Sequence, residues 1–572
     1  MSVYNIARII LLACVLLTAS CNYPIATPPQ DLGEPTQVTA TPFQPIIGVQ
    51  NPQGTVLEEG EGKGDEAVAS WWLSPGLPSA FRNLIALPDG AQVIEDQDQA
   101  HLLLSVNEGE ILSHWVYALV TPFPALTDEV SLGEVQAAWQ EEGVGPFAGS
   151  ALMMSAETQA VFSAWWGEPG AGAVQTVDPS DLLRAAWAAQ PAWAIVSFEE
   201  LQPKWKVLAV DGQSPIWKDF DLASYALSVP IGLGGDPTLV AEAWERFGPE
   251  TASPLAPASN RDEQKLTTVI LTGVTALVRA TAYEMNRSGV TYPAEDIGPL
   301  LREADITHIS NEVPFAPDCP PPDPVQRNLV FCSDASYIDL LDAVGVDVIE
   351  LTGDHFNDWS REAMLYTLEL YRERGWPYYG GGANIEEARQ PLTLEHNGNK
   401  IAFIGCNGKG GSYASADVDY PGAVGCDYEL METQVRDLVA QGYLVIATFQ
   451  HNEVYTFVPQ PTLIRDFSRI SGAGAAIVSG SQAHQSHGVE FPRDDAIIMY
   501  GLGNLFFDQR GVVEYGDQAL IARHVIYDGR YISTELFTIQ FVDFAKPRFM
   551  TMEERQAFLS LIFNASIWHE GE

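Results

Sequence analysis

Five short apolar runs in the second half of the chain each end in residues that can bind metals or move protons. Residues 305–310 lead into Asn311 and Glu312, and 346–351 lead into Thr352-Gly353-Asp354-His355 with Asn357 and Asp358 close behind. Residues 444–449 lead into Gln450-His451-Asn452-Glu453, and 475–480 into Ser481, Gln482, His484 and His487. Residues 496–500 lead towards Gly503-Asn504 and Asp508. Imidazole nitrogen and carboxylate oxygen suit Zn, Mn or Fe, and two such ions could bridge a phosphoryl group and activate water. Each feature also has a plainer reading. An Asp-His pair after a strand commonly caps a loop, Glu312 near Pro314 fits a solvated turn, and His484 and His487 fit surface histidines. Their recurrence after separate runs points to a shared site.

These residues need a scaffold. Strands are predicted at 267–274, 305–310, 346–351, 400–405, 444–449, 475–480 and 496–500, with helices at 337–344, 360–374, 432–440 and 462–470. Nearly continuous Val/Ile strands between amphipathic helices imply a sheet covered on both faces. The carboxyl ends of such strands gather at one edge, where sites usually lie.

Composition narrows the chemistry. The chain has 572 residues, 30 Lys+Arg against 75 Asp+Glu, and a formal charge of −45. That balance argues against nucleic-acid binding, which needs clustered cations. It leaves room for an anionic substrate, because a bound metal reverses the local field.

The first residues read as an export signal. Arg8 precedes an apolar run over 9–17, and then Thr18-Ala19-Ser20-Cys21. Small residues directly before a Cys resemble a bacterial lipobox, with cleavage removing Cys14 and lipid attached at Cys21. Residues 1–21 are thus the signal, and 22–65, rich in Pro, Thr, Gln and Gly, a disordered tether. The expected location is the cell surface, lipid-anchored to the outer face of the cytoplasmic membrane.

Two folded regions follow. Residues 66–255 alternate strand and helix patterns, an α/β domain smaller than the next. Its order resembles part of a periplasmic phosphate-type solute-binding protein. That resemblance implies anion capture near Thr121, Ser131 and Ser155; ordinary helix caps are the favoured reading. Residues 265–545 form the second domain, and 546–572 a packed C-terminal helical extension without chemistry.

With Cys14 cleaved off and Cys21 lipid-bearing, four of the six cysteines are left, and an exported compartment permits disulfides. Proximity favours Cys319–Cys332 and Cys406–Cys426, among the three pairings that four cysteines allow. The absence of C-x-x-C argues against a zinc site built from these cysteines.

Across residues 268–510 the ordered motifs become specific. They are Asn-Glu-x-Pro, Leu-Thr-Gly-Asp-His, Gly-Gly-Gly-Ala-Asn, Lys-Ile-Ala-Phe-Ile-Gly, His-Asn-Glu-x-Tyr, Gly-x-x-x-His and Leu-Gly-Asn-Leu-x-Phe-Asp. This series resembles the CapA (PgsA-like) family of capsule and poly-γ-glutamate synthesis. The resemblance implies a calcineurin-like metallophosphoesterase fold, a four-layer α/β/β/α sandwich. It implies membrane attachment and a role in making, exporting or retaining an anionic polymer alongside polymer-synthesis machinery.

Carried over residue by residue, the family's motifs assign Glu312, Asp354, His451 and His484 as metal ligands and His355 as the catalytic group that stabilises or protonates the phosphoryl oxygen. Asn311, Asp358, Glu453, Gln482 and Asn504 would form a secondary polar pocket. The family's first strand usually ends in Gly-Asp, whose Asp binds metal; here Val274 follows Gly273. Gln482 stands where the family has a second histidine. The resemblance therefore implies one divalent ion (Mn, Zn or Fe) rather than two, acting on a phosphoester or amide bond. A metal-free scaffold that binds polymer or solute is the rival reading.

Overall fold

Neighbouring residues of a strand point to opposite faces, and in the second region both sets are apolar. Val269 and Leu271 face one core while Ile270 faces another, and Val348 and Ile349 divide the same way. Phe403, Ile446 and Ile477 share the first of these cores, whereas Ala402, Val445 and Val478 enter a third. Strands buried on both sides require cover on both sides. The computed structural model describes residues 69–140, 145–411 and 413–569. The expected signal, the expected lipidation position Cys21 and the expected tether lie outside the described residues.

Two sheets result. The first runs Tyr378–Tyr379, Val348–Glu350, Ile306–Asn311, Leu266–Leu271, Gln518–Tyr527, Arg530–Phe541 and Pro547–Phe549. Its first four strands are parallel and the rest antiparallel. The second runs Leu392–His396, Asn399–Asn407, Leu444–Gln450, Ile477–Ser479, Ala496–Met499 and Val489–Arg493, parallel at its centre. Their facing residues form one inter-sheet core. Helices Arg279–Ser288, Ile338–Ala343 and Arg361–Arg374 cover the first sheet. Helices Tyr428–Ala440 and Pro461–Gly472 cover the second. This is the expected four-layer α/β/β/α sandwich.

Local signals set the helices. Ser360 caps Arg361–Arg374 by accepting from Ala363 N–H at 3.0 Å, and Gly375 ends the helix at φ 71°. Met364, Leu368 and Tyr371 make up its buried stripe.

The long hairpin of Gln518–Tyr527 and Arg530–Phe541 lies outside the strands that the sequence predicts. It turns on Asp528 and Gly529, both at positive φ, and pairs with Leu266–Leu271. Nor is the C-terminal segment an appendage. Phe558, Leu559, Ile562 and Phe563 of helix Met552–Asn564 sit in the inter-sheet core.

Residues 70–235 build a separate mixed sheet centred on Leu102–Val106, Ser228–Gly235, Glu110–Pro122 and Trp193–Ser197. Its hydroxyls at the suggested anion positions are already engaged. Thr121 donates to Ala192 O at 2.8 Å, Ser131 forms a capping box with Glu134, and Ser155 caps Thr158 N–H at 2.9 Å. These are helix and strand caps. The two regions share a core through Leu266, Val525, Tyr527 and Ile532. Arg555 also grips Asp128 with two 2.8 Å bonds. Among the described residues no helix is long and apolar enough to cross a membrane.

Candidate metal centre

The parallel strands of both sheets deliver their carboxyl ends to one rim. Glu312 follows Ile306–Asn311, Asp354 and His355 follow Val348–Glu350, Glu453 follows Leu444–Gln450, and His484 follows Ile477–Ser479. Glu312 and Gly353 lie so close that a Cβ on Gly353 would stand 2.9 Å from Glu312 Cα. A side chain at 353 would push these two ends apart.

Ligating atoms of Glu312, Glu453 and His484 lie within 4.8 Å of one another. His484 Nε2 is 3.9 Å from Glu312 Oε1 and 3.7 Å from Glu453 Oε1. The orientation of this imidazole is fixed from behind. Asn504 donates its amide to His484 O and Gly516 O, so its Oδ1 accepts from His484 Nδ1–H at 2.9 Å. Nε2 thus faces two carboxylates, an arrangement stabilised by positive charge between them, either a bound ion or a proton on Nε2. Glu312 Oε1 is buried without any hydrogen-bond partner among the described residues. Two carboxylates and one oriented imidazole fit a single divalent ion.

A second group, Glu312, Asp354 and His355, shares Glu312 with the first. His355 Nδ1 donates to Asp358 Oδ2 at 2.6 Å, and its Nε2 lies 3.9 Å from Asp354 Oδ1. Burial pulls the imidazole pKa down, but Asp358, Glu312 and Asp354 outweigh it and push it up to about 9. The ring is therefore a proton carrier at neutral pH. Burial raises the Glu312 carboxyl, against the pull of His484 and His355.

The strongest cation of the rim is one that the motifs do not assign. Lys409 reaches in from the Gly-rich loop after Asn399–Asn407. Its Nζ lies 2.9 Å from Asp354 Oδ2 and also bonds Glu453 Oε1. Gln450 donates to the other oxygen of Asp354 at 2.7 Å. Burial raises Asp354 and Glu453, yet His355 and Lys409 for the first, and His484 and Lys409 for the second, hold both below the usual carboxylate range. The spacing Asn407-Gly408-Lys409-Gly410-Gly411 after an apolar strand was the available signal.

Other expected residues fall elsewhere. His451 is not among the converging ligands: its Nε2 bonds Asp466 Oδ2 at 3.0 Å, and its ring packs edge-on against Phe467. The strand end turns it towards helix Pro461–Gly472. Asp358, Glu453 and Asn504 stand in the site as described. Gln482 and Asn311 lie under it, bonded to Ser310 Oγ and Tyr371 Oη respectively. His487 bonds Thr456 O at 2.6 Å and faces away from the rim. Val274 belongs to a small apolar cluster with Phe331 and Phe507. Those two rings pack 5.0 Å from His355 and 5.1 Å from His484. Where the family places an acid, this chain places a hydrophobic floor.

Disulfides brace the rim. The structure joins Cys319 to Cys332 and Cys406 to Cys426, and the second closes the segment that carries Lys409.

Residues 268–509 match the family model described as Bacterial capsule synthesis protein PGA_cap. They form a PGA_cap domain. The chain is also similar to the capsule biosynthesis protein CapA of Bacillus anthracis, 23% identical over 299 residues, which are 51% of this chain and 71% of that protein. Among solved structures it is similar to a 5'-nucleotidase precursor from Thermus thermophilus, with TM-score 0.30, 12% identity, and coverage of 52% and 58% of the two chains. An ABC-type phosphate transport receptor from Vibrio cholerae gives TM-score 0.22 and 12% identity, covering 26% of this chain and 72% of the receptor. At these TM-scores neither structure adds to the assignment, which rests on the PGA_cap match and CapA.

Proposed function

We propose that the protein acts at the outer face of the cytoplasmic membrane, tethered through lipid on Cys21, in making, exporting or retaining an anionic capsule-type polymer such as poly-γ-glutamate. Its PGA_cap domain and its similarity to CapA support the polymer role. The run of small residues into Cys21 supports the anchor.

Within that role the rim works as a metal-assisted hydrolase of a phosphoester or amide bond. The convergence of Glu312, Glu453 and His484 carries this reading. These three side chains would hold Mn, Zn or Fe, which supplies Lewis acidity and an activated water. Asn504 keeps His484 in the one tautomer that leaves Nε2 free to bind. Asp358 holds His355 by Nδ1, so that its Nε2 proton can pass to the leaving oxygen or nitrogen. Glu312, buried and unpartnered at Oε1, is available to accept a proton or bind the ion.

One observation favours a second reading. Val274 and the outward His451 reduce the donor set, as in a polymer-binding scaffold that has lost its chemistry.

Elemental analysis of protein purified without chelator, paired with hydrolysis of a generic phosphodiester, separates the two. Metal with turnover supports the hydrolase, and neither metal nor turnover with polymer binding intact supports the scaffold. Cys21→Ala should release the protein from membranes, and continued membrane retention would contradict the anchor.

A further inference from the structure

Glu312 belongs to both ligand groups at the rim, so the two groups sit side by side around one carboxylate. In the first, Glu312, Glu453 and His484 enclose space for an ion. The second group, Glu312, Asp354 and His355, is different. There Asp354 is already paired with the Lys409 ammonium, which also bonds Glu453 of the first group.

That ammonium is built into place. The loop bearing it leaves the strand at Asn407, whose Oδ1 accepts from Gly410 N–H at 2.9 Å. Gly410 takes φ 86°, a turn that a side chain would strain. The Cys406–Cys426 bridge closes the loop at its base. Two largely buried carboxylates held this close require a counter-cation. An ammonium is a compact point charge with three donors and can meet both. Glu312, shared by both groups, is buried, and its Oε1 has no hydrogen-bond partner among the described residues, which marks the rim as a place for cations rather than a chance acidic cluster.

We propose that Lys409 is the resident cation of a second metal position, so that the rim binds one exchangeable divalent ion and the place of a second ion is filled by a side chain of its own. The proposal rests on the metal reading above only for the first position. It adds that a lysine sets the stoichiometry. Chelator would then strip one positive centre and leave the other.

The test is bound metal, not turnover. Wild type and Lys409→Ala are stripped with chelator, equilibrated with Mn²⁺ by dialysis, and analysed for metal per chain, with circular dichroism to verify folding. Bound Mn²⁺ should rise from about one to about two equivalents in Lys409→Ala, while Lys409→Arg, which keeps a cation, should stay at about one. Should the alanine variant not fold, Lys409→Gln gives the same comparison with a side chain still spanning the gap. One equivalent in both wild type and neutral variant overturns the Lys409 assignment and leaves the metal reading standing. None in wild type but one in the variant supports Lys409 and removes the Glu312–Glu453–His484 ion. None in either, or two in wild type, overturns the proposal.

Discussion

The Nδ1 of His484 donates to Asn504 Oδ1 at 2.9 Å, and this bond decides which nitrogen of the imidazole faces the rim. Asn504 is itself locked by its amide bonds to His484 O and Gly516 O. Replacing it frees the ring to rotate and to change tautomer. Asn504→Leu should weaken Mn²⁺ binding by about 10–100-fold without unfolding the protein, as measured by metal titration. Unchanged affinity would mean that His484 does not bind the ion.

The two histidines that the motifs assign as ligands should behave differently. His484→Ala should remove bound metal and phosphodiester turnover together. His451→Ala should keep the metal, because its Nε2 serves Asp466. The His451 variant should instead lose about 0.5–1.5 kcal/mol of stability, since Asp466 loses one bond but keeps Arg465 and Tyr428. Metal analysis and urea unfolding of both variants check this; metal loss in His451→Ala would restore it to the ligand set.

Gly353 permits the closest approach in the site. Gly353→Ala would place a methyl 2.9 Å from Glu312 Cα. Overpacking of this kind should cost about 1–3 kcal/mol and displace Glu312 from Asp354. A thermal melt should show the loss, and metal affinity should fall with it. A variant as stable as wild type with unchanged affinity would show that the strand ends can move apart freely.

Acid should unfold the protein partly through a histidine far from the rim. His524 is buried in the hairpin, its Nδ1 bonded to Thr534 Oγ1 at 2.6 Å and its Nε2 without a partner among the described residues. Burial lowers its pKa to about 3. The folded form therefore stays neutral while the unfolded chain takes up a proton below about pH 6.5. Stability from this group is present above pH 6.5 and is lost as pH falls towards about 3. His524→Gln should reduce the slope of unfolding free energy against pH in that window by about 1.4 kcal/mol per pH unit. Urea titrations at several pH values measure the slope, and equal slopes would exclude His524 as the source.

Much of the scaffold could be read from the chain because its cause is local. Val/Ile runs such as 444–449 and 475–480 are strands wherever they pack, and Ser360 with Gly375 brackets a helix through its own backbone bonds. Acids and histidines after several such runs were legible too, since parallel strands place their carboxyl ends on one side. The hairpin of Gln518–Tyr527 and Arg530–Phe541 was less visible, because its second strand is stabilised by pairing across the sheet rather than by an unbroken apolar run. Tertiary structure alone decided which side chains meet. His451 and Glu453 are only two residues apart, a spacing that would put them on one face of a continuing strand, yet beyond the strand end one reaches Asp466 and the other reaches His484. Lys409 looks like any exposed lysine in a glycine loop until the second sheet brings Glu453 and the first brings Asp354 to its ammonium. Spacing along a chain fixes the face and the end at which a residue emerges. The partner of a charge depends on distances between elements far apart in sequence, and only their packing sets those distances.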